Sequence, residues 1–392
     1  MSLKVAIAVH GRFHAFDLAS ALAGEGATVQ VATTYPRWAA RRFLPAPVQI
    51  RSASWLEYWR RFHAKTSMGP VPGAGLCRAF GRFAAQTFPA DADVFVGWSA
   101  ASLEALAPAR RAGILTVVER GSTHILHQRA VLKRVYAENG GHFDGIDPEI
   151  VDRELAEYDM ADLISVPSQF VASTFISRGF PQHRLLVNPY GVDAARFHCA
   201  DRRRSDKPAI LFVGSVGYRK GAPDLLAAFS LIRHDATLEF VGPVDRGWRP
   251  ARTDNVKFAG AVSRDGVIAA LGRTDIFCLP SHEEGLPLSL LQAMASGLPV
   301  VTTPESGAAD AITDGVEGRI VPAGNPVALA DALSELCASP DLRLEMGRQA
   351  RKKAAQMKWT DYGNRAIAGY NRAVADRALN RKTSSLSGNR GQ

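Results

Sequence analysis

The sequence predicts an α/β protein built from two doubly wound lobes that face each other across a cleft. Three observations carry this. The chain has 392 residues, too many for one ordinary core when domains cluster at about 100–150 residues. Short apolar runs recur along it, each followed by glycine or polar residues and then by a helical pattern. The series is broken once, by the charged stretch 201–207, which reads as an interdomain linker.

In the first lobe, residues 4–9 read as a strand, 16–23 as a helix ending at Gly24 and Gly26, and 28–32 as a second strand. Apolar runs at 94–96, 115–118 and 163–166 continue the series. The second lobe offers strands at 209–213, 238–241, 276–279 and 299–302, with helices at 223–232, 266–272, 288–296 and 326–338. Strict alternation of the two element types implies parallel sheets covered on both faces. The assignment is therefore a first domain at 1–200 and a second at 208–360. A helix at 361–375 is expected to pack back toward the first domain, and 376–392, rich in Arg, Ser and Gly, is expected to be a flexible tail.

Composition narrows the class. With 46% hydrophobic and 22% charged residues the chain is of ordinary globular type. Its net charge of +9 is spread out, 21 Lys and Arg against 17 Asp and Glu in residues 1–200 and 26 against 21 beyond, so no nucleic-acid-binding arm follows. The local excess lies at 37–65, where Arg37, Arg41, Arg42, Arg51, Arg60, Arg61 and Lys65 face Glu57 alone, interleaved with Trp38, Phe43, Trp55, Tyr58, Trp59 and Phe62. That mixture suits a peripheral contact with an anionic membrane; the alternative is a solvated basic loop with its aromatics folded inward. The opening apolar run is too short for a signal-peptide core or a membrane span, so the protein is expected to be cytoplasmic, with a peripheral contact on the inner face of the membrane as a further option. Cys77, Cys199, Cys278 and Cys337 are scattered without metal or disulfide spacing.

Two stretches carry chemistry. In the first, a strand ends at Phe212-Val-Gly214-Ser215 and a glycine-containing loop leads through Arg219 and Lys220 into a helix. Backbone N–H groups, a helix start and two mobile cations suit an anion such as a diphosphate; a plain strand-to-helix turn with surface basics is the alternative. In the second, the strand at 276–279 delivers Glu284 to the sheet's carboxyl edge, Gly285 allows close backbone approach, and Pro287 opens a helix. Gln292 lies eight residues past Glu284, within range of another part of the same ligand. Met294 reads as core.

The segments FVGSVGYRKG, EEGLPLSLLQAMASGLPVV and VNPYGVDAARF resemble the signature stretches of glycosyltransferase family 4, retaining nucleotide-sugar enzymes of the GT-B fold with two Rossmann-like domains. Weaker likeness extends over most of 145–372. The resemblance implies that Lys220, helped by Arg219, holds the donor diphosphate and that Glu284 contacts the donor sugar. Gly214, Ser215, Gly285, Leu286, Leu288 and Gln292 would complete the donor site. Ser215 stands where Arg is frequent and Gln292 where a second Glu is usual; an amide can still hydrogen-bond a ribose.

In the first lobe, Gly11-Arg12-Phe13-His14 and Glu119-Arg120-Gly-Ser-Thr-His124 follow strands. The resemblance puts Gly11, Arg12, His14 and Arg120 on the acceptor side and makes His124 the first choice for a catalytic histidine, ahead of His14 and His127. The alternative for each histidine is a satisfied structural role. The resemblance implies a substrate pair of nucleotide-diphosphate sugar and glycan or lipid-linked glycan, as in surface polysaccharide or lipopolysaccharide synthesis. No metal-binding Asp-x-Asp triplet ends a strand, so neither a metal nor another cofactor is expected. The competing readings are a nucleotide-sugar epimerase and a non-catalytic donor-binding protein of the same fold.

Overall fold

The computed structural model describes residues 2–65, 73–197, 207–245, 248, 250 and 253–388. Residues 201–206 of the expected linker lie outside them, as do Cys199 and residues 389–392. Among the described residues the chain forms two parallel sheets with helices on both faces.

The first sheet contains β1 (Lys4–Val9), β2 (Thr28–Thr33), β3 (Gln49–Ser52), β4 (Val94–Trp98), β5 (Leu115–Glu119), β6 (Leu163–Val166) and β7 (Leu185–Val187), in the order β3-β2-β1-β4-β5-β6-β7. The second contains β8 (Ala209–Val213), β9 (Thr237–Val241), β10 (Val256–Gly260), β11 (Ile276–Leu279), β12 (Val300–Thr302) and β13 (Gly318–Ile320), in the order β10-β9-β8-β11-β12-β13. Both have the reversal of strand order that defines a doubly wound sheet, and their switch points lie between β1 and β4 and between β8 and β11. Every residue of β4, β5, β6 and β11 is buried, as expected for central strands with helices on each side.

The last helix, Trp359–Gly388, lies along the helix Ala15–Gly24 of the first lobe. Its Tyr362 and Tyr370 rings are fully buried there, and the Tyr362 hydroxyl donates to Glu119 Oε1 at 3.3 Å. The C-terminal segment thus completes the first lobe's helix layer. Val192 N–H donating to Met357 O at 2.8 Å ties the crossover down. The helical backbone also continues past 375, where a flexible tail was expected, and reaches Gly388. Residues 376–388 contain no proline, and Ala375, Ala378, Leu379, Arg381 and Lys382 are good helix formers that extend a helix already nucleated by packing.

Candidate active site

The loops that leave β8 and β11 at the second lobe's switch point build one wall. Gly214 has φ +151, and a Cβ there would come within 2.9 Å of Lys220 Cδ. Only glycine both adopts this backbone and lets the lysine stem lie across it. His282 N–H donates to Arg219 O at 2.9 Å, and His282 Nε2 lies 2.6 Å from Asp224 Oδ2 in the first turn of the helix Ala222–Leu231. The two loops are thereby fixed to each other.

Their charges converge. Lys220 Nζ lies 2.7 Å from Glu284 Oε1, Arg219 Nη2 lies 3.1 Å from the same oxygen, and Arg219 Nη1 lies 3.2 Å from Glu283 Oε2. Burial works against the Arg219 charge, but Glu284 and Glu283 outweigh it and hold the guanidinium pKa above its ordinary value. Burial likewise pushes Glu283 up, yet Arg219 and donors from Ser122 and Thr123 bring its carboxyl down to about 2. The Ser215 hydroxyl donates to Asp245. The helix Leu288–Ala295 starts after Pro287 with no side-chain cap, so its positive end remains for a ligand. Leu286 is buried beneath the loop, and Leu288 and Gln292 are half-buried on this helix.

The first lobe supplies the opposite wall. A Cβ on Gly285 would lie 2.2 Å from Gly121 O and 2.8 Å from Pro167 Cγ, so the absence of a side chain allows the lobes to meet there. Ser168 Oγ donates to Gly285 O at 2.7 Å across the same contact. Gly11, at φ +107 after β1, offers its carbonyl to Thr33 Oγ1 at 2.6 Å, and the Arg12 guanidinium stacks 3.7 Å over the Phe43 ring.

Two expected site residues have other work. His124 caps the helix Ile125–Glu138, its Nδ1 accepting from Leu126 N–H at 3.2 Å, with its ring against Tyr158 and Phe175. Burial, then the nearby Arg178 and Arg120, lower its pKa to about 4 and keep it neutral. Arg120 turns inward: its guanidinium meets Glu154 at 3.1 Å, Gln128 Oε1 at 3.0 Å and Thr123 O at 2.9 Å. A buried guanidinium needs a counter-charge, and Glu154 supplies it at salt-bridge distance. Both residues shape the loop after β5.

His14 is the imidazole beside that loop. Its ring packs 4.3 Å from Tyr190 and 5.0 Å from Trp98, Nε2 stands 3.6 Å from Glu119 Oε2, and a Cβ on Gly121 would be 3.8 Å from Cε1. Nε2 has no hydrogen-bond partner among the described residues. Sequence reasoning missed Tyr190 and Tyr362 as neighbours of this histidine. Tyr190 does sit in the signature-like stretch VNPYGVDAARF, which was the available signal.

A family model described as glycosyl transferases group 1 matches residues 196–353. D-inositol 3-phosphate glycosyltransferase 2 of Catenulispora acidiphila is 30% identical over 295 residues, which are 67% of this chain and 68% of that protein. D-inositol 3-phosphate glycosyltransferase of Mycolicibacterium vanbaalenii is 29% identical over 286 residues, covering 64% of this chain and 62% of the relative's length. In fold, the crystal structure of Anabaena HepE in complex with UDP and glucose superposes with a TM-score of 0.68 at 16% identity, covering 94% of this chain and all of that one. Two doubly wound lobes, the cation-lined loop after β8 and the glutamate loop after β11 accord with these matches, and the chain belongs to the glycosyl transferases group 1 family.

Proposed function

We propose that the protein is a retaining, family 4 glycosyltransferase that moves a sugar from a nucleotide-diphosphate sugar to a glycan or lipid-linked glycan acceptor, in surface polysaccharide or lipopolysaccharide synthesis. The observation that carries this is the convergence of Lys220, Arg219 and Glu284 at the second lobe's switch point, directly opposite the loop after β5. The solved complex of HepE with UDP supports a nucleotide donor for a fold of this kind.

In this reading the bond from the anomeric carbon to the diphosphate breaks while a new bond to an acceptor hydroxyl oxygen forms on the same face, and the hydroxyl proton passes to the departing diphosphate. Lys220, Arg219 and the start of the helix Leu288–Ala295 take up the charge of the departing diphosphate, the role a metal ion plays elsewhere. Glu284 orients the sugar hydroxyls, Gln292 grips the ribose, and contact between the lobes around Gly285 excludes water. A panel of UDP-, GDP- and dTDP-sugars, assayed for nucleoside diphosphate release with and without added glycan acceptor, tests the proposal. Release that rises with acceptor is expected. Sugar isomerisation without release would favour an epimerase, and no turnover of any donor would favour a binding protein.

The acceptor side suggests where the enzyme works. On the helix Ser54–Lys65, Trp55, Tyr58, Trp59 and Phe62 follow the i, i+3, i+4, i+7 spacing of one helical face, and all four are exposed, as are Trp38 and Phe43 nearby. Arg37, Arg41, Arg42, Arg60 and Arg61 flank them, the composition of a face that enters an anionic lipid interface. No described helix is long and apolar enough to cross a membrane. Binding from the cytoplasmic side is therefore proposed as peripheral. In sedimentation at low salt the protein should follow anionic vesicles and remain in the supernatant with neutral ones; failure to follow either would remove the membrane from the account.

A further inference from the structure

Glu283 does a job that its neighbour Glu284 does not. Its side chain is wholly shielded from solvent, yet it is charged and fully bonded. Oε1 accepts from Ser122 Oγ at 2.5 Å, Thr123 Oγ1 at 2.7 Å and Thr123 N–H at 3.0 Å. Oε2 accepts from Gln128 Nε2 at 3.0 Å and Arg219 Nη1 at 3.2 Å. Four of these five donors belong to the first lobe, about 160 residues away along the chain.

The contacts continue on both sides. Arg219 places its other terminal nitrogen on Glu284, and Arg120 holds Thr123 O and Gln128 Oε1 while anchoring itself on Glu154. An unbroken run of ion pairs and hydrogen bonds therefore leads from Glu284, through Arg219 and Glu283, to the first lobe's 119–124 loop and the helix Pro148–Met160. We propose that Glu283 is a positioning residue that ties the first lobe's 119–124 loop to Arg219, so that the acceptor wall and the donor cations are set in place together. The catalytic half of this statement rests on the donor-site reading given above; the tie between the lobes does not.

Two variants separate the tie from plain packing. Glu283→Gln keeps the shape but puts a donor where Gln128 and Arg219 also donate. Ser122→Ala with Thr123→Val removes two hydroxyl donors from the other lobe and leaves Glu283 intact. Hydrogen–deuterium exchange of the full chain without added ligand is the first readout. Coupling is reciprocal, so either variant should speed exchange both at 121–124 and at 216–221. Turnover of the best donor in the sugar panel is the second: kcat should fall at least about tenfold while affinity for that donor's nucleoside diphosphate stays within about threefold, since the lost interaction matters only when the lobes act together. Should Glu283→Gln fail to fold, Ser122→Ala alone should give the same two-lobe pattern at smaller amplitude. Exchange changes confined to the mutated lobe would overturn the tie. Unchanged kcat in a variant that shows the two-lobe pattern would overturn its catalytic consequence. A wild-type protein that turns over no donor would sink the donor-site reading, and the exchange data would still decide the tie.

Discussion

Glu284→Gln is expected to lower kcat by roughly one to three decades with little change in donor KM. The carboxylate pairs with both Lys220 and Arg219 through a single oxygen, leaving the other for substrate hydroxyls at the edge of the second sheet. An amide of the same shape loses the anion that orients the sugar where charge develops. It also releases two cations toward phosphate, so ground-state binding of the diphosphate should be preserved or improved. Gln292 lies one turn into the helix Leu288–Ala295 and is assigned a grip that is equal in ground and transition states. Gln292→Ala should therefore raise donor KM with kcat nearly intact, while Gln292→Glu should stay active because a carboxylate also accepts from ribose hydroxyls. Steady-state kinetics of the three variants, with folding checked by circular dichroism, decide the matter. A Glu284→Gln enzyme with wild-type kcat would remove Glu284 from the site.

Lys220→Ala is the second large effect. The lysine reaches across Gly214 to Glu284, and its ammonium is nearly buried there. A charge-assisted bond to phosphate contributes about 1.5–3 kcal/mol, roughly a 10- to 150-fold loss in kcat/KM on truncation. Part of that loss comes from Glu284, left with Arg219 as its one close cation among the described residues. Arg219→Ala should also impair turnover and should cost more in stability, because it strands the buried Glu283 carboxylate as well. Thermal melts of the two variants beside their kinetics separate those contributions. Turnover equal to wild type in both would make the loop structural.

The pattern of what the sequence revealed has a physical cause. The strands β1, β2, β4, β5, β6, β8, β9, β11 and β12 are legible as apolar runs because helices cover both their faces. The four strands that periodicity did not find, β3, β7, β10 and β13, are the four sheet edges. Each carries partly exposed residues, as in the exposed-buried-exposed start of Gln49–Ser52, and β7 is an apolar run of only three residues, Leu185–Val187. In the site, Arg219, Lys220 and Glu284 were legible because each sits within a few residues of the strand end that delivers it. The roles of Glu283, Arg120 and His124 were not. Those depend on which side chains meet after folding, Glu283 with Thr123 from the other lobe and Arg120 with Glu154 from a neighbouring helix. Nothing in local spacing records such partners.

Calorimetric titration of the wild type, Lys220→Ala and Glu284→Gln with UDP, GDP and dTDP tests whether the loops after β8 and β11 form a nucleotide-diphosphate donor site. One equivalent of at least one of these nucleotides should bind the wild type, about tenfold or more weakly to Lys220→Ala, and at least as tightly to Glu284→Gln. Wild-type protein that binds none of the three, or Lys220→Ala protein that binds as the wild type does, would contradict such a site.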